Sequence, residues 1–322
     1  MEHISLYPLV FRPVLKKLVW GGAKLSQVLG KPVSLGLPIG ESWELVDLPN
    51  DQSVVANGVL AGRTLNDLIR AKKADLLGPV SLDGGRFPLL VKYIDAALPL
   101  SVQLHPDEKA AARLGGRPKS EAWYVLHAEP GAVLHLGLKA GCTRAQFAES
   151  IAKGKVGELL VPVSVKRGDM VYIKPGTVHS IGAGVLLAEV QQPSDTTYRV
   201  FDWGRVGLDG KARELHIEQA LECIDLESRP QIERLFLDTD HFSVRVLHSE
   251  KAETISLAGT GPIVLVGVEG ETIVELHSEH SQKSVTTVQL GTVVLVPHVC
   301  RPITQLVGTK KAKVLEVAFP KK

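Results

Sequence analysis

Cysteine and net charge are both scarce in this chain of 322 residues, and each scarcity excludes a class of protein. The three cysteines, Cys142, Cys223 and Cys300, are too few and too far apart in the sequence for a disulfide framework. A reducing compartment, the cytoplasm, is therefore the expected location. The 37 basic and 35 acidic residues give a net charge of +2. This balance offers no electrostatic basis for binding nucleic acid or an anionic membrane.

Long hydrophobic runs and aromatic residues are also lacking. No apolar run approaches the roughly 18 residues that a membrane span requires. Charged residues such as Arg12 and Lys16 interrupt the N-terminal segment, so we expect no signal peptide. Aromatic residues make up only 5% of the chain, but 44% of the residues are hydrophobic. This fraction is enough for a sizeable core, and the length predicts about two globular domains.

Glycine and proline are abundant instead, with 30 and 19 copies, and they bound many short segments with the pattern of strands. Many of these segments alternate polar and apolar residues, which is the period of a half-buried strand. Their density predicts a mainly β fold with sandwich or jelly-roll layers, in place of parallel α/β units. The predicted strands include Phe87–Ile94, Ala132–Leu138, Asp169–Ile173, Val185–Val190, Phe242–Leu247, Pro262–Val268, Thr272–Leu276, Val285–Leu290, Thr292–Val296 and Lys313–Phe319.

Few helices are predicted, and they lie in the first two thirds of the chain. Their signals are capping residues, terminal glycines and apolar residues at helical spacing. In one of them, Pro106 is expected in the first turn. The predicted helices are Leu65–Leu77 after the cap Thr64, a short helix opened by His105–Glu108 and ended by Gly115, a helix after Thr143, and one containing Ile217, Leu221 and Ile224.

A polar segment with one proline, residues 227–231, follows the last predicted helix and marks a domain boundary. Only strands and turns are predicted beyond it. A weak internal repeat favours two related β domains, because Gly168–Pro175 and Gly291–Pro297 both consist of a glycine turn, an apolar strand and a proline. His179 follows the first copy and His298 follows the second.

Three polar clusters carry side chains that can bind a metal. Gln103 and His105 share one face of a predicted strand, about 6–7 Å apart, so both can converge on one ion. Glu121 begins an apolar strand, and His179 follows a Pro-Gly turn that fixes its position. Two imidazoles, a carboxylate and a carbonyl oxygen suit zinc, and also Fe(II), Mn or Co. The alternative interpretation is structural: a solvated strand face, and an ion pair between Lys119 and Glu121.

The densest polar cluster spans residues 189–203 and contains Glu189, Asp195 and Arg199. Charged groups packed this closely between apolar strands are hard to explain as core. A solvated loop is the alternative, but the neighbouring aromatic residues and Arg199 argue against it. The sequence therefore indicates that this segment contributes to a polar site.

The motifs, taken together, resemble the type I phosphomannose isomerases in their compact bacterial form. The resemblance covers most of the first 225 residues in the order of that family, and the joint occurrence of the motifs is far more specific than any one of them. The motifs are Trp20-Gly21-Gly22, Gly40-Glu41-Ser42-Trp43-Glu44, Gln103-x-His105-Pro106, Lys119-Ser120-Glu121, Pro175-Gly176-Thr177-x-His179 and Gln191-Gln192-x-Ser194-Asp195-x-Thr197-Tyr198-Arg199.

This resemblance implies two cupin-like jelly-roll domains, a catalytic one over residues 1–228 with helical insertions and a degenerate one over 229–322. It implies an enzyme that interconverts mannose 6-phosphate and fructose 6-phosphate through a cis-enediol, with one Zn²⁺ per chain. The substrate is then a small sugar phosphate. The residues implied are Gln103, His105, Glu121 and His179 as metal ligands, Arg199, Lys119, Glu189 and Asp195 as catalytic groups, and Lys119, Arg199 and Ser101 as substrate contacts.

Two other functions are alternatives to the isomerase. A metal-dependent cupin oxygenase is disfavoured because such enzymes commonly carry a His-x-His pair, whereas Gln103 occupies the first of these positions. A non-catalytic sugar-phosphate binder is disfavoured because such a descendant is expected to have lost a metal ligand or Arg199. Lys119, Glu189 and Asp195 all stay open as the proton shuttle, and the sequence decides neither the phosphate-binding residues nor the oligomeric state.

Overall fold

Strands dominate the part of the chain that the computed structural model describes, residues 5–34, 36–257, 259–276, 284–308 and 311–320. The strands are β1 (Leu9–Arg12), β2 (Val14–Gly22), β3 (Ile39–Leu45), β4 (Val54–Val55), β5 (Leu90–Ala96), β6 (Val102–Leu104), β7 (Glu121–Ala128), β8 (Val133–Leu138), β9 (Leu160–Ser164), β10 (Met170–Ile173), β11 (His179–Ile181), β12 (Val185–Gln191), β13 (Tyr198–Phe201), β14 (Ile232–Glu233), β15 (Phe236–Asp238), β16 (Ser243–Ser249), β17 (Glu253–Ile255), β18 (Ile263–Glu269), β19 (Glu271–Leu276), β20 (Ser284–Gln289), β21 (Val293–Val296), β22 (Thr304–Gly308) and β23 (Ala312–Ala318).

The helices are short. They are α1 (Lys24–Gln27), α2 (Leu65–Leu77), α3 (Glu108–Leu114), α4 (Arg144–Ala152) and α5 (Ile217–Cys223), with 3₁₀ segments at Gly58–Leu60, Val156–Leu159 and His298–Ile303. The mainly β prediction is therefore confirmed. In the described part of the chain, none of these helices is both long enough and apolar enough to cross a membrane.

The chain folds into two compact units, and both are discontinuous in sequence. The terminal unit comprises residues 1–14, 44–89 and 234–322, and the central unit comprises 15–43 and 90–233. The sequence boundary near residue 228 lies close to the 233/234 division, whereas residues 1–14 and 44–89, placed before that boundary, belong to the terminal unit. The reason is long-range pairing: β1 pairs with β21, with Leu9 opposite Leu295. No local composition signal reveals such a pairing.

Two sheets form the terminal unit. One has the strand order β15-β16-β23-β18-β21-β1-β4, and the other has the order β17-β22-β19-β20. Its core is aliphatic, and its centre is formed by fully buried strands such as β18 and β21. The predicted strands of this region all occur, shifted by one or two residues at their ends.

Two further sheets form the central unit. Their strand orders are β14-β10-β7-β12-β5-β2-β3 and β13-β6-β11-β8-β9. Aliphatic side chains from both sheets, together with Trp20 and Trp123, form one buried cluster between them. A second buried cluster packs α4 and α5 onto the smaller sheet through residues such as Phe147 and Ala220. The central unit is therefore a two-layer β sandwich with helices on one side.

Helix ends follow the sequence signals closely. Thr64 and Thr143 both form capping boxes, at the starts of α2 and α4. The helix predicted after His105 begins later, because Asp107 is its N-cap and its side chain accepts from the Ala110 N–H. Pro106 therefore precedes the cap and does not lie in the first turn.

The predicted internal repeat corresponds to one strand in each unit. Gly168 and Gly291 both have positive φ, +92° and +84°, and precede β10 and β21 in the larger sheets. The histidines that follow differ in setting, because His179 begins β11 whereas His298 begins a 3₁₀ segment. The repeat therefore consists of a glycine turn and a strand in each unit, and the segments that follow the two strands differ.

Candidate active site

A cavity of about 330 Å³ lies in the central unit and is lined by residues of both of its sheets. Many of the side chains that line it are charged or aromatic. They include Lys16, Trp20, Glu41, Trp43, Lys92, Ser101, Gln103, Lys119, Trp123, His179, Glu189, Asp195, Thr197, Arg199 and Arg213. Every site residue predicted from the sequence either lines this cavity or contacts a residue that does.

Three candidate metal ligands meet beside this cavity. His105 follows β6, Glu121 begins β7 and His179 begins β11, and each residue is 1% exposed. Nε2 of His105 lies 3.3 Å from Oε2 of Glu121, and Nε2 of His179 lies 3.4 Å from Oε1. The donor atoms all lie within 4.8 Å of one another, and in the described chain this is the one such group of histidine, cysteine and carboxylate side chains.

Both imidazoles are oriented by backbone carbonyls. Nδ1 of His105 lies 2.8 Å from the Thr196 carbonyl, and Nδ1 of His179 lies 2.9 Å from the Thr177 carbonyl. Since a carbonyl only accepts, each Nδ1 carries the proton, and each Nε2 presents a lone pair to the site. Burial lowers the pKa of His105 to about 3 and also lowers the pKa of His179. Both rings are therefore neutral, as metal binding requires.

The carboxylate between the imidazoles is ionised. Burial alone would raise the pKa of Glu121, but the neighbouring ammonium of Lys119 lowers it well below the usual range. Nζ of Lys119 lies 2.9 Å from Oε2 of Glu121. Nε2 of His105 and Oε1 of Glu121 are buried without a hydrogen bond in the described structure, and Oε2 of Glu121 has the Lys119 ammonium beside it but no bond of hydrogen-bond geometry. Buried polar atoms are normally satisfied, so this donor set fits a divalent cation, and two nitrogens with a carboxylate suit zinc.

Gln103 lies next to one of the three candidate ligands, His179. It is opposite His179 in the ladder between β11 and β6, and its Nε2 lies 3.3 Å from His179 Nε2. Its Oε1 accepts a hydrogen bond from Ser101 at 3.0 Å. A half-turn of the amide brings Oε1 to the His179 side and leaves the Ser101 hydroxyl as an acceptor, because a hydroxyl serves in both roles. Gln103 can thus supply a fourth, oxygen ligand.

Glu189 lies on β12, in the larger sheet of the central unit, between residues of the two neighbouring strands. It is opposite both Lys92 on β5 and Trp123 on β7. Its Oε2 accepts from Trp123 Nε1 at 2.9 Å, and its Oε1 lies 3.2 Å from Lys92 Nζ and 3.6 Å from Lys119 Nζ. Burial raises the pKa of Glu189, and the nearby charge of Glu121 raises it further.

Two residues of the Gly40–Glu44 motif, Glu41 and Trp43, lie next to Lys92. Glu41 Oε1 lies 3.4 Å from Lys92 Nζ, and Glu41 Oε2 accepts from Trp43 Nε1 at 2.6 Å. The ammonium of Lys16 lies 4.2 Å from the centroid of the Trp43 ring, a cation–π contact. From the sequence, Arg12 and Lys92 are only further basic options for the substrate phosphate, and Glu41 and Trp43 are not among the predicted site residues. Their signal was the i, i+2 spacing of Glu41 and Trp43, which puts both side chains on one face of β3.

Arg199 lines the other side of the cavity. It is opposite Gln103 on β6, its Nε donates to Ser101 Oγ at 3.3 Å, and its Nη1 donates to the Glu214 carbonyl at 2.9 Å. Burial lowers its pKa, and the charge of Arg213 lowers it further. An arginine nevertheless remains charged at neutral pH. The bonds to Ser101 and Glu214 therefore hold the guanidinium beside Gln103 as a fixed positive charge.

Arg213 was not predicted, and it completes a cluster of guanidiniums. Its Nε and Nη2 donate to the two oxygens of Asp202 at 2.7 and 2.5 Å, and Arg205 donates to the same carboxylate at 2.8 and 3.1 Å. One carboxylate cannot neutralise the charges of Arg199, Arg205 and Arg213 together. Asp195 lines the same cavity and adds a further negative charge that acts on Arg199.

Comparison with known proteins supports one family. A model of the phosphomannose isomerase type I catalytic domain matches residues 9–135. Mannose-6-phosphate isomerase of Bacillus subtilis is 41% identical over 226 residues, which are 70% of this chain and 70% of that protein. The crystal structure of mannose 6-phosphate isomerase from Bacillus subtilis has a TM-score of 0.84 and 26% identity, covering 98% of this chain and 100% of that one.

A more distant solved structure has the same fold. It is a mannose 6-phosphate isomerase bound with zinc and yttrium, with a TM-score of 0.74 and 16% identity, and it covers 98% of this chain and 100% of that one. The cupin-type β fold expected from the resemblance is that of these isomerases. With the identity and coverage found for the Bacillus subtilis enzyme, the chain belongs to the type I phosphomannose isomerase family.

Proposed function

We propose that the protein is a metal-dependent mannose-6-phosphate isomerase, which interconverts mannose 6-phosphate and fructose 6-phosphate. The observation that carries this proposal is the buried group of His105, Glu121 and His179 at a cavity that is also lined by Lys119 and Arg199. Its family relatives bear the same name. The activity belongs in the cytoplasm, in keeping with three free thiols.

The metal is zinc in this proposal, with one ion per chain. Two neutral imidazoles, an ionised carboxylate and a turned Gln103 amide make up a four-donor set of the kind zinc accepts. The distant relative with bound zinc supports the same choice. When bound, such an ion polarises substrate oxygens and stabilises negative charge that develops on them.

Isomerisation moves one proton from C2 to C1 while the oxygens on these carbons exchange a proton. The carrier must reach both carbons from one side, and it must be basic enough to take the proton and then return it. Glu189 fits this role, because its pKa is raised by burial and its Oε1 faces the cavity between Lys92 and Lys119. The Trp123 N–H holds the other oxygen, so the carboxylate is fixed in orientation.

Arg199 is suited to stabilising the oxyanion of the cis-enediol. Its guanidinium lies in register with Gln103, and Gln103 in register with His179, so these three residues form one row across the smaller sheet. A fixed hydrogen-bond donor near developing charge lowers the barrier because it needs no reorganisation during the reaction. Ser101 joins Arg199 to Gln103 and keeps this row aligned.

The substrate phosphate fits the excess positive charge around Asp202. Arg213 lines the cavity near Arg199, and the Asp202 carboxylate holds its guanidinium through two hydrogen bonds. A phosphate dianion would balance charge that Asp202 leaves uncompensated, and guanidinium groups match phosphate oxygens in geometry. Lys119 then stays with Glu121 and Glu189, next to the reacting carbons.

A coupled assay that detects fructose 6-phosphate tests the proposal. The protein is assayed with mannose 6-phosphate as purified, after chelation and dialysis, and after Zn²⁺ is restored. We expect turnover that chelation abolishes and Zn²⁺ restores. No turnover by the zinc-replete protein would overturn the proposal, and calorimetric binding of mannose 6-phosphate without turnover would instead identify a sugar-phosphate binder.

A further inference from the structure

The two imidazoles of the metal site are held in different ways. The Thr177 carbonyl that orients His179 lies two residues away on the same segment. The Thr196 carbonyl that orients His105 lies 91 residues further along the chain. The direction in which His105 presents its lone pair therefore depends on where residues 192–196 are placed. We call these residues the orienting loop.

Ser194 is the polar junction of the orienting loop. Its hydroxyl accepts a hydrogen bond from the Thr196 N–H at 3.2 Å and donates one to the Arg117 carbonyl at 3.0 Å. The residue is 1% exposed, so water cannot replace either bond. Thr196 is held a second time, because its Oγ1 accepts from the Arg117 N–H at 3.0 Å. The Ser194 hydroxyl thus links Thr196, which orients His105, to Arg117, which lies two residues before Lys119.

Further bonds hold the loop independently of Ser194. The Gln191 amide donates to the carbonyls of Gln192 and Ser194, at 2.9 and 2.5 Å. The Gln192 side chain accepts from the Ser120 N–H at 2.9 Å, and the Gln192 N–H donates to the Ser120 carbonyl at 3.1 Å. The loop would therefore keep its path without the Ser194 hydroxyl, but Thr196 would lose one of its two links to Arg117.

We propose that Ser194 is a positioning residue of the metal site: by tying Thr196 to Arg117, its hydroxyl keeps the Thr196 carbonyl against Nδ1 of His105. That contact fixes the tautomer and the angle of the ring, so that Nε2 faces Glu121 and His179. Partners that orient a ligating histidine change metal affinity by about 10–100-fold when they are removed. This inference rests on the metal site of the proposed function but does not depend on the sugar that reacts there.

The Ser194→Ala variant tests the proposal, with Ser53→Ala as a matched control. Ser53 is also buried, and its hydroxyl also bonds a backbone N–H, of Val46, and a carbonyl, of Glu44, in the terminal unit. Zn²⁺ affinity is measured by competition with a chromophoric chelator, and folding by circular dichroism. We expect affinity to fall about tenfold in Ser194→Ala and to stay within twofold of wild type in Ser53→Ala.

A second readout reports the ring itself. In metal-free protein labelled with ¹⁵N-histidine, NMR spectra distinguish the Nδ1-protonated from the Nε2-protonated tautomer. We expect His105 to be Nδ1-protonated in the wild type and a mixture of both tautomers in Ser194→Ala. Should Ser194→Ala fail to fold, Ser194→Cys takes its place, because it fills the same space but replaces the hydroxyl with a thiol, a weak donor and weak acceptor, and its affinity should fall in the same direction.

Unchanged Zn²⁺ affinity and an unchanged tautomer in the folded variant would overturn the proposal, as would an equal loss of affinity in Ser53→Ala. These outcomes are separate from those of the isomerase assay. A protein without isomerase activity whose Zn²⁺ affinity depends on Ser194 would overturn the proposed function and leave this inference standing.

Discussion

Gln103 and His179 lie directly opposite each other on β6 and β11, with their Nε2 atoms 3.3 Å apart. Arg199 flanks Gln103 on the other side, from β13. The ladder therefore places a candidate metal ligand, an amide and a guanidinium in one row, about 5 Å apart from strand to strand. The row explains why residues separated by up to 96 positions can act on one small substrate, and it suggests where substitutions will separate metal binding from catalysis.

Removing one imidazole should remove the metal. His179→Ala leaves two of the three ligands in the buried group, so we expect bound zinc to fall below 0.1 equivalent per chain by elemental analysis, an order-of-magnitude expectation for a lost ligand. His135→Ala is the control, because His135 lies on the neighbouring strand β8 opposite Ser180 and outside the ligand group. A zinc content near one equivalent in His179→Ala would remove His179 from the site.

Removing the guanidinium of Arg199 should keep the metal and reduce the rate. Loss of one fixed donor to a developing oxyanion costs roughly 10²–10³ in kcat. We expect this loss in Arg199→Ala with zinc content unchanged. Arg245→Ala is the control, since Arg245 pairs with Glu316 in the terminal unit and should leave kcat as it is. An unaltered kcat/KM in Arg199→Ala would exclude Arg199 from the reaction.

Glu189, Asp195 and Lys119 are the candidates for the proton transfer, and substitution can rank the two carboxylates. Glu189→Gln keeps the shape and removes the base, so we expect kcat to fall about 10²–10⁴-fold. Tritium exchange from C2 of mannose 6-phosphate into water should fall in parallel. Asp195→Asn is the comparison and should fall less. The reverse order, with exchange lost in Asp195→Asn and kept in Glu189→Gln, would transfer the role to Asp195.

His135 should make stability depend on pH. Burial lowers its pKa below the ordinary 6.5, so the folded state binds the proton less readily than the unfolded state. Stability from the neutral ring is therefore present above pH 6.5 and is lost as the pH falls from 6.5 towards the lowered value. The His135→Gln variant lacks this pH-dependent contribution to stability. Between pH 7 and pH 5, the urea midpoint of the wild type should therefore fall more than that of the variant. A difference between the two midpoints that stays constant would contradict the prediction.

Gly176 should tolerate no side chain. It has a φ of +80°, and a Cβ would lie 2.7 Å from the Cys223 carbonyl oxygen. The same turn donates from the Gly176 N–H to the His105 carbonyl. Gly141→Ala is the matched control, with a φ of +77° and open space around the added carbon. We expect the control to lose about 1–2 kcal/mol of unfolding free energy from backbone strain alone. Gly176→Ala should lose more unfolding free energy than Gly141→Ala and should also bind zinc less tightly. Equal losses in the two variants would contradict the prediction, because they would show that the chain relieves the close contact.

The sequence by itself determined the strands, the caps and the chemistry of the ligands, because these depend on neighbours within a few residues. Strands such as β12 and β23 occur where alternation and turn residues predicted them, and Thr64 and Thr143 cap their helices as expected. The order of the motifs was enough to indicate the family. Grouping Gln103, His105, Glu121 and His179 as one ligand set needed only their types and the resemblance.

The tertiary structure alone decided which distant residues meet. The pairing of β1 with β21 places the N-terminal segment in the same unit as the C-terminal strands, which no local sequence signal indicates. Lys92 and Arg213 enter the cavity because sheet register and the Asp202 carboxylate bring them there, and neither stands in a motif that predicts it. The Thr196 carbonyl at His105 is the clearest case, since backbone groups are the same in every residue and only the folded chain selects one of them.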